Sequence, residues 1–287
     1  MNNIVRLPIS CLGSCYSGTS SEEILLAIGS LFSDTYIPSE VLLIVDGVVD
    51  DKLNLSINYL IKKFSIKVIR LEYNIGLGLA LNKGIKECNF DLVFRYDTDD
   101  ISLPQRLKTQ YDFLIKNPEV AVLGSFVREF KKNNGKYYSR LKKVPSNFRE
   151  IKKSIYFRNP LNHPSVAFRK SIIIKVGNYQ DIKFFEDYYL WLKLFKLGYK
   201  IENLDEVFVY MKRNYASMRR SGIEYLKYEL NFLRIIRSNS LMSFLFFIFN
   251  LLRLPIRVYP LFYLLEFVPW RSKWKLDASI FQLIEEI

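Results

Sequence analysis

Histidine is all but missing from this sequence: His163 is the only one in 287 residues. A histidine-based triad would have to be built around that ring, and the default reading of an isolated histidine is structural. Cysteine is nearly as scarce. Cys11, Cys15 and Cys88 form an odd set without metal-ligand spacing, and with one histidine they cannot build a zinc site, so a reducing compartment fits best. The opening, Met1-Asn2-Asn3-Ile4-Val5-Arg6, has no basic leader followed by a long apolar run, and the expectation is a protein that is not secreted. Leu12-Gly13-Ser14-Cys15 faintly resembles a lipoprotein cleavage site, but no apolar segment precedes it, and it reads as a strand end and loop. Neither a P-loop nor a dinucleotide glycine loop sits at a strand-to-helix turn, which argues against an ATPase or a dehydrogenase.

Apolar and aromatic residues, by contrast, are plentiful: 49% of the chain is hydrophobic, with 22 Phe and 19 Tyr. Such a chain folds around a sizeable core and is expected to touch lipid. The formal charge is +13, and between Lys131 and Arg158 many basic residues face Glu150 alone. An anionic partner is implied, whether nucleic acid, a diphosphate or acidic headgroups. With no Cys/His finger and no aromatic RNA-binding signature, nucleic acid is not the expected partner.

Apolar periodicity predicts alternating strands and helices. Ile4 to Cys11, Val41 to Val45, Lys67 to Leu71 and Leu92 to Tyr96 read as strands, the second as one buried on both faces. Between them, helices begin at Ser20 or Ser21, near Asp50 or Asp51, and at Leu77. The fold class is therefore α/β, an open, mostly parallel sheet with helices on both faces. Ligands bind such sheets beyond the carboxyl ends of the strands, where Asp46 and Asp97 fall. Asp97-Thr98-Asp99-Asp100 puts three carboxylates into four residues, an arrangement that repulsion disfavours without a cation. Hard oxygen ligands select Mg2+ or Mn2+, either of which can bridge carboxylates and a diphosphate. Asp100 or Ser102 is expected to cap a helix starting near Pro104.

The ordered pieces resemble the inverting glycosyltransferases of family 2, which have the GT-A fold. They are Ser14-Cys15-Tyr16 after the first strand, Asp46 after the second, Asn74, Gly76, Ala80 and Asn82 in an Asn-x-Gly-x-x-x-Ala-x-Asn run, and Arg95-x-Asp97-x-Asp99-Asp100. Arg158-Asn159-Pro160-Leu161-Asn162-His163-Pro164-Ser165 and Phe185-Glu186-Asp187-Tyr188-Tyr189-Leu190-Trp191 continue the series toward about Gly222. The resemblance implies that Tyr16, Asp46, Asn74, Gly76, Asn82, Arg95 and Asp97 serve the nucleotide-sugar, and that Asp99, with Asp97, holds the metal. It implies Asp187 as the catalytic base, an acceptor side at His163, Glu186 and Trp191, and Arg219 and Arg220 beside the diphosphate. Val45 and Val48 depart from the family's usual residues around Gly47, which loosens the choice of nucleotide. The processive signature Gln-x-x-Arg-Trp is missing, so one sugar per encounter is expected.

Residues 1–222 are expected to form the GT-A domain, with a nucleotide-binding half of about 1–125 and an acceptor-side half of about 126–222. Residues 223–287 read as a helical, apolar tail. The run Leu241 to Leu252 is shorter than the roughly 20 residues of a bilayer crossing, while short apolar helices flanked by Arg and Trp, here reaching Trp270, suit the headgroup boundary. The expectation is peripheral, monotopic attachment at the inner face of the cytoplasmic membrane, with a lipid-linked saccharide acceptor of the O-antigen or capsule type; packing of the tail on the protein's own core is the competing reading. A non-catalytic nucleotide-sugar-binding protein and a basic nucleic-acid-binding protein are the alternative functions.

Overall fold

Continuous aliphatic runs form strands covered on both sides. In the computed structural model, which describes residues 4–213, 223–258 and 272–287, strand β1 (Val5–Cys15) pairs in parallel with β2 (Tyr36–Asp46) and with β4 (Leu92–Arg95), and β2 pairs with β3 (Lys67–Leu71). The resulting order β3-β2-β1-β4 sets the carboxyl ends of β1, β2 and β4 side by side. Beyond β4 come β8 (Ala167–Arg169), β6 (Val120–Asn133), β7 (Lys136–Lys142) and β10 (Lys275–Leu276), while β9 (Lys200–Lys212) pairs with β6 and with β5 (Ile101–Ser102). Strands β5, β7 and β8 run against all the others, so the sheet is mixed but mostly parallel.

Alternate residues of the same strand face opposite layers, as the strand period of two requires. Leu42 and Ile44 join one core with helices α3 (Leu77–Glu87) and α7 (Glu186–Lys196). Val41, Leu43 and Val45 join the other with α1 (Ser21–Ser30), α2 (Asp51–Phe64) and α4 (Arg106–Lys116). The expected start signals hold for two helices: the Ser20 hydroxyl accepts the Glu23 N–H, and the Asp50 carboxylate accepts the Leu53 N–H at 2.7 Å. They fail for a third. Helix α4 begins at Arg106 after a left-handed Gln105, without a side-chain cap, because Ser102 is drawn into β5 and Asp100 is engaged elsewhere. The first strand also runs four residues further than expected, through Gly13 to Cys15, since β2 supplies it with backbone partners as far as Cys15 and β4 as far as Leu12.

Short helices α5 (Phe148–Ser154) and α6 (Lys170–Lys175) complete the second half of the body. The tail is built into it. Phe232, Leu233 and Ile236 of α8 (Ile223–Ser238) and Leu254 of α9 (Phe244–Val258) join the core that holds α7. Further on, β10 adds to β7, and Ile280 of α10 (Ser279–Glu286) packs against Ile101, Phe130 and Tyr210. Helix α9 nevertheless leaves a stripe of Phe244, Leu245, Ile248, Phe249 and Leu252 exposed, Leu245 by 81%. No helix among the described residues is long and apolar enough to cross a membrane. The apolar segment Tyr259 to Trp270 lies outside the described residues.

Much of the basic stretch lies on the β6–β7 hairpin. There Glu129, fully buried, accepts the Arg140 Nε at 2.6 Å, and the ammonium of Lys131 and the guanidinium of Arg140 each lie 4.5 Å from the Trp274 ring. Arg213 Nη1 lies 3.4 Å from the other carboxylate oxygen, so removing Glu129 leaves Arg140, itself buried, and Arg213 without their counter-charge. Glu129→Ala is therefore expected to lower stability by about 3–5 kcal/mol in urea denaturation, and Glu129→Ala with Arg140→Met to recover part of that loss. Equal losses in the single and double variants would contradict this reading of the pair.

Candidate active site

The acidic cluster leaves β4 at its carboxyl end. Ligand oxygens of Asp97, Asp99 and Asp100 lie within 4.8 Å of one another. Each carboxylate has a different neighbour. Asp97 is held by the guanidinium of Arg95, which is itself buried; Asp100 Oδ1 accepts the Lys212 N–H of β9 at 2.7 Å, and its Oδ2 is buried without a hydrogen-bond partner. Asp99 is pushed up to about 7, first by burial and then by the negative charges of Asp97 and Glu23. Asp100 is raised for the same reasons, burial first and then Asp99 and Asp97. Three crowded hard-oxygen donors, one with an unpartnered buried oxygen, fit a divalent cation. Asp97, Asp99 and Asp100 would hold it.

Beneath the cluster lies Arg106, also buried. Its Nη2 donates to the carbonyls of Arg95 at 2.7 Å and Pro164 at 3.0 Å, and its Nε to Gln110 Oε1 at 3.1 Å. It ties the strand end to the His163–Ser165 turn. Burial lowers its pKa to about 10, so it stays charged at neutral pH and offsets part of the acidic field. Sequence reading passed over it; the available signal was a polar pair, Arg106 and Gln110, on the face of α4 that also buries Leu107 and Leu114.

The loop after β2 is organised by Asp46. Its two carboxylate oxygens accept the N–H groups of Ile75 at 2.8 Å and Gly76 at 3.0 Å, and Asn74 Nδ2 donates to its carbonyl at 3.2 Å. Gly47 is left-handed, and a Cβ there would stand 2.7 Å from the Asn74 nitrogen, so only glycine allows this close approach. Asp46, Asn74 and Gly76 thus come together, with Asp46 buried and bonded to the loop backbone. Tyr16, 51% exposed at the end of β1, presents its ring over Gly18.

Asn82, expected at the nucleotide, is instead turned inward. Its amide donates to the Tyr179 carbonyl at 2.8 Å and its carbonyl accepts the Tyr179 N–H at 3.0 Å. Tyr179 in turn meets His163 Nε2 through its hydroxyl at 2.9 Å, and both rings pack edge-on against Trp191. Trp191 is 0% exposed, so it backs the site and does not face an acceptor. Burial pushes the Tyr179 hydroxyl far up, and the hydroxyl feels Arg95, Asp187, Glu186 and Asp97. Tyr179 thus links Asn82 of α3 to His163 and Trp191, a buried junction that sequence reading did not single out.

Asp187 sits in the first turn of α7, where the helix N-terminus favours a carboxylate. Its Oδ2 accepts the Asn159 amide at 2.7 Å and its Oδ1 the Tyr188 N–H at 2.7 Å. Phe185, not Asp187, is the N-cap residue. Gly78 of α3 comes so near Glu186 that a Cβ would lie 3.2 Å from its Cβ, which seats α3 against the Glu-Asp motif. Asp187, Asn159 and Arg158 share a cavity of about 170 Å³ with aromatic residues of α8 and the segment before Asn159. Arg219 and Arg220 lie outside the described residues.

The chain matches the model of the family described as Glycosyl transferase family 2 over residues 15–177. It is 39% identical over 240 residues to a UDP-Gal:alpha-D-GlcNAc-diphosphoundecaprenol beta-1,3-galactosyltransferase of Escherichia coli, covering 82% of this chain and 85% of that one. With the amylovoran biosynthesis glycosyltransferase AmsE of Erwinia amylovora it shares 35% over 227 residues, 79% of this chain and 84% of that one. Its fold is similar to that of S. aureus TarS 1-349 in complex with UDP-GlcNAc, with a TM-score of 0.54, 22% identity, and coverage of 72% of this chain and 59% of that one.

Asp99 supplies a test of the cluster. A carboxyl raised in the folded state is protonated there at a pH where the unfolded chain has already ionised. Stability of the metal-free protein should therefore fall as pH rises from about 3.8 to about 7. Asp99→Asn is expected to stabilise the metal-free protein at pH 8 by at least about 1 kcal/mol and to be neutral near pH 3. It should also abolish the rise in melting temperature that Mn2+ gives the native protein. A variant that melts lower at pH 8, or keeps the Mn2+ shift, would remove Asp99 from the metal site.

Proposed function

The chain belongs to glycosyl transferase family 2, and from that premise we propose that it moves one sugar per encounter, with inversion, from a UDP-sugar to a lipid-linked saccharide. The product would be a bacterial surface polysaccharide of the O-antigen or capsule type, built at the inner face of the cytoplasmic membrane. The observation that carries this is the cluster of Asp97, Asp99 and Asp100 at the carboxyl end of β4, in a chain whose residues 15–177 match the family. The galactosyltransferase relative, named for a UDP-sugar donor and a diphosphoundecaprenol acceptor, supports the donor and acceptor classes.

In this reading Tyr16 stacks on the base, and the loop that Asp46 organises through Asn74 and Gly76 lines the nucleotide. Bound Mn2+ or Mg2+ supplies positive charge against the departing diphosphate. Asp187 takes the proton of the acceptor hydroxyl as that oxygen bonds to the anomeric carbon. The bond from carbon to phosphate oxygen breaks on the opposite face, and its electron pair leaves with the nucleoside diphosphate. Asn159, bonded to Oδ2, fixes the orientation of the base. We assign donor work to about residues 1–125, acceptor work to about 126–222, and membrane attachment to 223–287.

Two features support attachment. Helix α9 exposes an apolar stripe, and Lys152 and Lys153 of α5 are exposed just before Tyr156, which stacks on Phe246 of α9. Apolar side chains bordered by lysines suit an anionic bilayer surface. Leu245→Glu with Leu252→Glu alters exposed positions only, and should abolish sedimentation with vesicles containing phosphatidylglycerol while leaving the melting temperature unchanged. Sedimentation equal to that of the native protein would exclude the stripe as the contact.

The transfer itself is tested with a panel of nucleotide-sugars. Asp187→Asn should bind donor as the native enzyme does yet lose about 10²- to 10⁴-fold in turnover, the usual cost of removing a general base. Turnover within twofold of native would exclude Asp187 as the base.

A further inference from the structure

We propose that Phe184 determines which acceptor sugar is used, its ring serving as the apolar platform on which that sugar lies beside Asp187. The inference rests on the transferase reading above. Phe184 and Asp187 line the same cavity of about 170 Å³, large enough for one sugar ring, with Asn159 bonded to the carboxylate. The backbone at Phe184 is what singles it out. Ile182 to Phe185 is a turn closed by the Phe185 N–H on the Ile182 carbonyl at 2.9 Å, and Phe184, its third residue, is left-handed with φ 71°. Glycine or asparagine ordinarily fills that place, because a larger side chain crowds the backbone there. A bulky aromatic residue in this conformation is an outlier, and such strain persists where the surroundings over-determine it, as at active sites and ligand clamps.

Here the surroundings do so. Tyr225 and Tyr228 of α8 meet the ring with centroids at 5.8 and 5.3 Å, and the Lys183 ammonium lies over it at 5.6 Å while donating to the Tyr228 hydroxyl at 3.1 Å. The turn also sends successive rings two ways. Phe185 goes into the core and stacks on Phe232 at 4.5 Å, whereas Phe184 stays half-buried in the cavity wall. Packing against α8 does not by itself require a strained position; what the turn adds is an aromatic ring set just before the base. A sugar ring has an apolar C–H face and a polar rim, and the face of an aromatic ring, the negative end of its quadrupole, suits the first. A sugar lying on Phe184 can then turn a rim hydroxyl toward Asp187. Phe184 lies beyond residues 15–177 that match the family, so this platform belongs to a part of the chain outside the matched region.

The test uses the full chain and soluble acceptors, each a single glucose, galactose, N-acetylglucosamine or N-acetylgalactosamine on an α-diphosphate with a short alkyl chain, offered with a panel of UDP-sugars. Phe184→Leu keeps an apolar side chain and removes the ring. It is expected to raise the KM for the accepted sugar about threefold to tenfold, the size of one aromatic stacking contact, with the KM for UDP-sugar unchanged and kcat altered less. Phe184→Tyr keeps the ring and should keep the native acceptor KM. Tyr228→Leu removes a ring that packs on Phe184 without lining the cavity, and should lower the melting temperature while leaving the acceptor KM as it is. An unchanged acceptor KM in Phe184→Leu, a parallel rise in its donor KM, or an equal rise in acceptor KM in Phe184→Tyr or Tyr228→Leu overturns the role of Phe184 while leaving the transferase intact. If the native protein turns over none of these acceptors, the transferase reading falls and takes this inference with it.

Discussion

Negative charge crowded at the end of one buried strand is the constraint around which the rest is arranged. Asp97, Asp99 and Asp100 stand too close to be ionised together without compensation, and the chain meets this in three ways. Arg95 pairs with Asp97 from below, and Arg106, buried behind it, adds a second positive charge while fastening the backbone. Asp100 is bonded to the backbone of β9, which ties the second half of the sheet to the first. Asp99 is left with a raised pKa, a tension that a divalent cation would relieve. Preorganisation of this kind costs stability in the empty site and returns it on binding.

The same economy joins the two halves of the fold. Asn82 grips both backbone groups of Tyr179, and Gly78, one turn earlier on α3, lets that helix approach Glu186. One helix of the first half of the chain therefore fixes the position of the Glu-Asp motif. An inverting displacement needs base and leaving group held on opposite faces of one carbon, within tenths of an ångström. Rigid backbone-to-side-chain clamps supply that better than long flexible side chains do.

Sequence and structure agree where period and chemistry are local. The strands at Val41 to Val45 and Lys67 to Leu71, the caps at Ser20 and Asp50, and the three clustered carboxylates were all legible, because each depends on neighbours a few residues away. What escaped depends on partners far along the chain. Asn82 meets Tyr179 across 97 residues, and Arg106 reaches Pro164 across 58, so neither bond leaves a periodic trace. Trp191 was expected on the acceptor side because it belongs to the Glu-Asp motif; one helical turn past Asp187, it is fully buried against His163 and Tyr179, contacts 28 and 12 residues away along the chain. Asp100 or Ser102 was expected to cap the helix, but the β5–β9 pairing takes Ser102, and Asp100 bonds to the Lys212 N–H, before the helix starts.

The tail shows why composition alone overstates a single role. Its aromatic residues do two jobs at once: Phe232 stacks on Phe185 next to the Glu-Asp motif, while Phe249 stands on the outer stripe. The basic stretch is divided likewise, Lys131 and Arg140 lying against Trp274 and Lys152 and Lys153 remaining exposed beside Tyr156. The carboxylates Asp99 and Asp100 line a cavity bounded by Glu23, Lys212 and Ile284, whereas Asp187 lines the one closed by α8 and α9. The acidic cluster is thus walled by the sheet and α10, and Asp187 by the aromatic residues of α8, so the two carboxylate groups sit in separate surroundings of one body.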